Sequence, residues 1–172
     1  MTKYVAFLRA VNVGGTKIIK MHELRKIFDS FGLGNVQTHI QSGNVIFEAR
    51  DSRTLEAKLE KQLEKALGFK TELFLRSMQQ LDQIAEQHGF KPGENETLHV
   101  VFLRDEPEKS QIESLKQYNS DADEFAVIGR EVYNLRHDRD RSIFSNNFIE
   151  KIFNRATTRN MTTVKKILEK YR

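Results

Sequence analysis

The alternation of apolar and polar positions divides the chain into short, well-punctuated segments. From Lys3 to Val11 it is β-branched and aromatic, and the Asn12-Val13-Gly14-Gly15 stretch that follows is its strongest turn signal, so a first strand is predicted to end there. Leu24, Ile27, Phe28 and Phe31 then recur at helical spacing from Met21 until Gly32 and Gly34 stop the pattern. Val36, Thr38 and Ile40 alternate with Gln37, His39 and Gln41, and Ser42-Gly43 turns the chain into Asn44-Val45-Ile46-Phe47-Glu48, which predicts a hairpin. Behind a cap at Asp51-Ser52, Leu55, Leu59, Leu63 and Leu67 stand on one face of a helix that Gly68 ends, and Lys70 to Arg76 returns as a strand. The order βαββαβ is the ferredoxin-like unit, an antiparallel sheet with helices on one face.

A capping box, Ser77-x-x-Gln80, opens a connecting helix through Leu81, Ile84 and Ala85 that closes near Gly89. Thr97 to Leu103 then reads as a buried strand, Pro107 suits the first turn of a helix carrying Ile112 and Leu115, and Phe125–Ile128 with Val132–Leu135 forms a hairpin around Gly129-Arg130. The first-half order repeats, and Phe7-Leu8-Arg9 recurs as Phe102-Leu103-Arg104, which together indicate duplication. The expected class is α+β, a duplicated ferredoxin-like fold with subdomains at residues 1–76 and 77–172. The second half is read as diverged, ending in two helices around Phe148-Ile149-Ile152-Phe153 and Val164-Ile167-Leu168-Tyr171 in place of a helix and a strand.

Composition narrows the function classes. The 172 residues, 38% hydrophobic and 30% charged with two prolines, have the balance of a folded globular chain. No apolar run approaches the roughly 18 residues of a membrane span, and the start reads as a strand and not as a signal peptide. The lack of cysteine excludes disulfides, thiolate metal sites and cysteine nucleophiles, so a cytoplasmic, membrane-free protein is expected. Net charge is +4, but Arg130 to Arg172 holds 11 basic and 5 acidic residues, so the basic character is C-terminal.

Three constellations carry candidate chemistry. Arg9, Asn12, Gly14, Gly15 and Lys17 set two cations around a glycine turn whose backbone N–H groups can approach an anion, although the spacing is neither that of a P-loop nor of a dinucleotide fold. Gln41, Ser42, Gly43 and Asn44 offer amides and a hydroxyl at a hairpin tip. Thr157, Thr158, Arg159 and Asn160 precede the last helix, where hydroxyl and amide caps beside an arginine suit a phosphate or carboxylate. Turn and cap chemistry accounts for many of the same residues. The run Arg136 to Arg141 reads as a solvated loop of mixed sign. The five histidines have no ligand spacing, so no metal is predicted. No serine lies in an activating context, the carboxylates of Glu56 to Glu64 are better explained by helical pairs with Lys58, Lys61 and Lys65, and no catalytic residue or cofactor is nominated.

The segments Ala6 to Gly15, Ile40 to Phe47 and Thr157 to Asn160, with the Lys20-Met21 opening of the first helix, resemble the bacterial domain of unknown function 1697 family over essentially the whole length. The resemblance implies two ferredoxin-like subdomains and supplies no catalytic residue. Relatives usually carry tryptophan where this chain has Met161, and a glycine-containing turn before Arg-Ser-Lys where only Arg141-Ser142 remain.

The leading functional expectation is a small anionic or phosphate-bearing ligand held at the junction of the halves by Arg9, Asn12, Gly14, Gly15, Lys17, Gln41, Ser42, Asn44, Thr158, Arg159 and Asn160. Single-stranded nucleic acid is the alternative partner, favoured by the C-terminal charge and disfavoured by the apolar setting of Phe7 and Phe102. An enzyme of undefined class and a protein–protein interaction module are further readings, and the residues leave oligomeric state open.

Overall fold

The computed structural model describes residues 1–9, 18–40 and 42–172. Among them the chain forms two units, Met1–Leu81 with Tyr171–Arg172, and Asp82–Lys170.

The first unit comprises β1 (Thr2–Leu8), α1 (Met21–Asp29), β2 (Gly34–His39), β3 (Asn44–Ala49), α2 (Leu55–Leu67) and β4 (Leu73–Ser77), leading into α3 (Met78–Glu86). Its sheet has the order β2-β3-β1-β4 and is antiparallel throughout. Successive side chains of a strand point to opposite faces. Tyr4, Ala6 and Leu8 of β1 therefore join Val45, Phe47 and Leu75 in a core with Leu24 and Phe28 of α1 and Leu59 and Leu63 of α2. The intervening Val5 and Phe7 are also fully buried, so both faces of β1 are covered. Gly68, at φ +80°, ends α2 in the left-handed conformation that costs glycine least.

The second unit carries β5 (Thr97–Leu103), α4 (Lys109–Lys116), β6 (Asp123–Ile128), β7 (Glu131–Arg136), α5 (Asn146–Phe153) and β8 (Ala156–Asn160), leading into α6 (Met161–Tyr171). Its order, β6-β7-β5-β8, is that of the first sheet, and Val101, Leu103 and Val132 pack with Leu115 of α4 and Ile149 and Phe153 of α5. The capping box at the start of α3 forms as the sequence predicts: Ser77 N donates to Gln80 Oε1 at 2.9 Å and Gln80 N to Ser77 Oγ at 3.2 Å.

The structure corrects the tail of the second half. Ala156 to Asn160 is a fourth strand paired with β5, not a loop before a helix, so each half runs βαββαβα and the duplication is complete. The cap expected at Asp51-Ser52 also shifts: α2 begins after Thr54, while Asp51 Oδ1 accepts the Tyr4 hydroxyl at 2.7 Å. Burial, followed by that carboxylate, pushes the Tyr4 phenol up to about 12.

Candidate functional site

The end of β1 is stitched to both neighbours. Leu8 N donates to Gly43 O at 2.8 Å and Arg9 N to Glu72 O at 2.9 Å, so Arg9 emerges between the β2–β3 turn and the start of β4. Its Nη1 reaches Glu72 Oε1 at 2.8 Å, and the two side chains are 23% and 16% exposed. An ion pair at this depth orients a guanidinium while leaving it within reach of solvent, and five donors in a planar fork allow one arginine to serve two acceptors. Asn44, fully buried opposite Phe7, donates through Nδ2 to His39 O and to Ser42 Oγ, both at 2.9 Å. Those bonds hold the turn in shape. Two motifs far apart in sequence, Arg9 and Ser42–Asn44, thus meet at one end of one sheet. Asn12, Gly14, Gly15, Lys17 and Gln41 lie outside the described residues.

The third candidate segment belongs to the second unit. Thr158, Arg159 and Asn160 are in β8, where Arg159 stands opposite Val100 and is buried. Its Nη1 donates to Thr157 Oγ1 and Thr158 O, both at 2.9 Å, and burial lowers its pKa to about 10. Asn160 Oδ1 accepts the N–H of Thr162 at 2.9 Å, which is helix capping.

Sequence reasoning missed the counterpart of this arginine. Arg76 of β4 stands opposite Val5 as Arg159 stands opposite Val100, and it too is buried, with Nη1 donating to Leu75 O at 2.8 Å. The signal was present: Arg76-Ser77-Met78 and Arg159-Asn160-Met161 share an Arg-x-Met pattern at the same strand-to-helix step.

The loop from Arg136 to Arg141 is built from local pairs. His137 faces Glu96 through Nδ1 and Glu124 through Nε2, the latter at 2.6 Å, and hydrogen bonds to Glu96 and then Glu124 raise its pKa. Asp138 accepts from Arg141 Nε at 2.7 Å. Beneath them, fully buried Asp123 accepts from Asn134 Nδ2 at 2.9 Å, Ser142 Oγ at 2.7 Å and Ile143 N at 2.9 Å, pinning the loop. Burial lowers the pKa of His99, with Arg136 adding to the effect, and burial also lowers that of His88. Among the described residues no group of three metal-ligating side chains converges.

The strand phenylalanines Phe7, Phe47 and Phe102 are all fully buried, so none of the three offers an open ring on which a base could stack. No described helix is long and apolar enough to cross a membrane.

No curated protein matches the sequence. A solved structure of a conserved bacterial protein from Streptococcus pneumoniae is similar over 98% of this chain and 97% of its own, with 22% identity and a TM-score of 0.68. At that identity the likeness establishes the fold, which among the described residues is two four-stranded antiparallel sheets with six helices in repeated halves. The family described as protein of unknown function (DUF1697) matches residues 1–133, which spans the first sheet and much of the second. With the match covering most of its length, the chain belongs to the DUF1697 family.

Proposed function

We propose that the protein binds a small anionic or phosphate-bearing ligand at the end of the first sheet, with Arg9 as the principal cation and the Ser42–Asn44 turn as the polar wall beside it. The observation that carries this reading is the convergence of Arg9 with that turn, through the bond from Leu8 N to Gly43 O and the ion pair with Glu72. A guanidinium oriented by a carboxylate is preorganised, so less side-chain entropy is lost when an anion arrives. In sequence, Gly14, Gly15 and Lys17 follow Arg9, a composition suited to further contacts with the same anion.

Thermal-shift measurements with inorganic phosphate, nucleotides and phosphorylated sugars test the proposal. A ligand at about 100 times its Kd stabilises by about 2.7 kcal/mol. For a chain of this size that corresponds to a rise of roughly 5–11 °C in Tm. Arg9→Gln is expected to abolish the response and Arg9→Lys to reduce it, because lysine keeps the charge and loses the fork. The proposal fails if no member of the panel stabilises the protein, or if Arg9→Gln responds as the wild type does.

A further inference from the structure

On the face of the second sheet that packs against α4 and α5, the apolar core gives way at one end to a polar cluster. Side chains two apart along a strand share a face. Asp123 of β6, Arg136 of β7 and Thr97 of β5 stand in one row across the sheet, and Phe125, Asn134, His99 and Asn160 stand in the next. Asp123 and Asn134 are fully buried, Thr97, His99 and Arg136 are half-buried, and Asn160 is exposed.

The buried pair fixes the state of the histidine. Asp123 Oδ1 accepts from Asn134 Nδ2 at 2.9 Å, which turns Asn134 Oδ1 toward His99 Nδ1 at 3.3 Å. A carbonyl oxygen only accepts, so Nδ1 carries the proton and Nε2 the lone pair. Burial, with the charge of Arg136 adding to it, holds the His99 pKa below the ordinary 6.5 against the Asn134 bond and the Asp123 charge, so the ring is neutral near pH 7. Among the described residues Nε2 has no partner.

Arg136 is the cation beside it. Its Nε is buried with no hydrogen-bond partner among the described residues, a state that calls for an explanation in a native fold. Its guanidinium carbon lies 5.9 Å from the Phe144 ring centroid, and the His99 ring stacks on the same phenylalanine at 4.8 Å, so one side chain positions both groups. The neighbouring carboxylates are held elsewhere. Asp123 is taken by Asn134, Ser142 and the Ile143 N–H, and Glu96 by the Gly93 N–H and His137.

We propose that His99 and Arg136 form a binding site for a small 2-hydroxy monocarboxylate, with the Arg136 guanidinium donating to the carboxylate and the ligand's hydroxyl donating to His99 Nε2. A planar fork fits a carboxylate two oxygens at a time, and a lone pair requires a donor, which a hydroxyl on the adjoining carbon supplies. A phosphate dianion fits less well, because it brings a second negative charge toward Asp123 and no proton for Nε2. The site is independent of the one proposed for the first unit, since it uses different residues in a different unit.

A ¹⁵N–¹H titration of the full chain with lactate, and in parallel with propionate, which lacks only the hydroxyl, tests the proposal. Lactate is expected to move the His99 Nε2 resonance and the amides of His99, Arg136 and Asn160 saturably. Propionate should bind about two- to twelvefold more weakly, the range for one neutral hydrogen bond. Arg136→Gln should weaken lactate by about tenfold or more, as the loss of a charged donor implies. His99→Phe keeps the ring stacking and removes the acceptor, so lactate and propionate should then bind alike. The wild-type comparison decides the matter even where a variant does not fold. The proposal is overturned if lactate does not bind saturably, if its shifts leave His99 unmoved, or if propionate or inorganic phosphate binds as tightly. Lactate binding that survives in Arg136→Gln and is lost in Arg9→Gln also overturns it, whereas its failure leaves the reading of the first unit untouched.

Discussion

Removing the acceptors that α2 offers to β4 should destabilise the first unit by a predictable amount. In the order β2-β3-β1-β4, β4 is an edge strand, and its outward N–H groups need partners from outside the sheet. Glu60 Oε1 accepts from Leu73 N at 3.0 Å and Glu56 Oε2 from Leu75 N at 2.8 Å. The match is geometric: four residues of helix rise about 6 Å and two residues of strand about 6.6 Å. Leu73 is fully buried and Leu75 is 7% exposed, so an N–H stripped of its acceptor there gains little from water. An unsatisfied buried donor costs about 1–3 kcal/mol. Both glutamates are half-buried and water fills part of the gap, so Glu56→Ala with Glu60→Ala should cost about 2–4 kcal/mol, or roughly 4–16 °C in Tm. Glutamine retains an acceptor oxygen and should cost less than half as much. Urea unfolding gives the total, and amide exchange at Leu73 and Leu75 gives the local effect. A double-alanine cost below about 0.5 kcal/mol, or a glutamine cost equal to that of alanine, would refute the reasoning.

Two further predictions concern the second unit. His137 has its pKa raised above the ordinary 6.5, so its contribution is complete below that value and is lost as pH rises through the raised one. Tm measured from about pH 6 to pH 9 should therefore fall more in the wild type than in His137→Gln, and parallel curves would contradict the assignment. Asp123→Ala removes one acceptor group from three donors at a fully buried position and should cost about 3–5 kcal/mol, with amide protection lost at Ile143; a cost below about 1 kcal/mol would show that the loop is held by something else.

Much of the fold was legible because the apolar periods agree with the turn chemistry around them. Thr97–Leu103 appears at the boundaries predicted for it, and the Ser77 and Gln80 side chains cap α3 as their spacing implies. β8 was not legible. Ala156-Thr157-Thr158-Arg159-Asn160 has no apolar alternation, because its buried positions are Ala156, Thr157 and Arg159, only one of them apolar, and two threonines beside an asparagine imitate a helix cap. Comparison of the halves would have found it, since Arg76 and Arg159 occupy one position of the repeat. At the candidate site, the meeting of Arg9 with the Ser42–Asn44 turn follows from pairing β1 with β3, which the hairpin pattern left open.

The most direct test of anion binding in the first unit is a ¹⁵N–¹H titration of the full chain with inorganic phosphate and then with the phosphorylated compound that stabilises it best. The account predicts saturable shifts at the amides of Arg9, Ser42, Gly43 and Asn44 and at the Arg9 side chain, all absent in Arg9→Gln. Shifts spread evenly over exposed lysines, growing linearly with concentration and unchanged in Arg9→Gln, would contradict it.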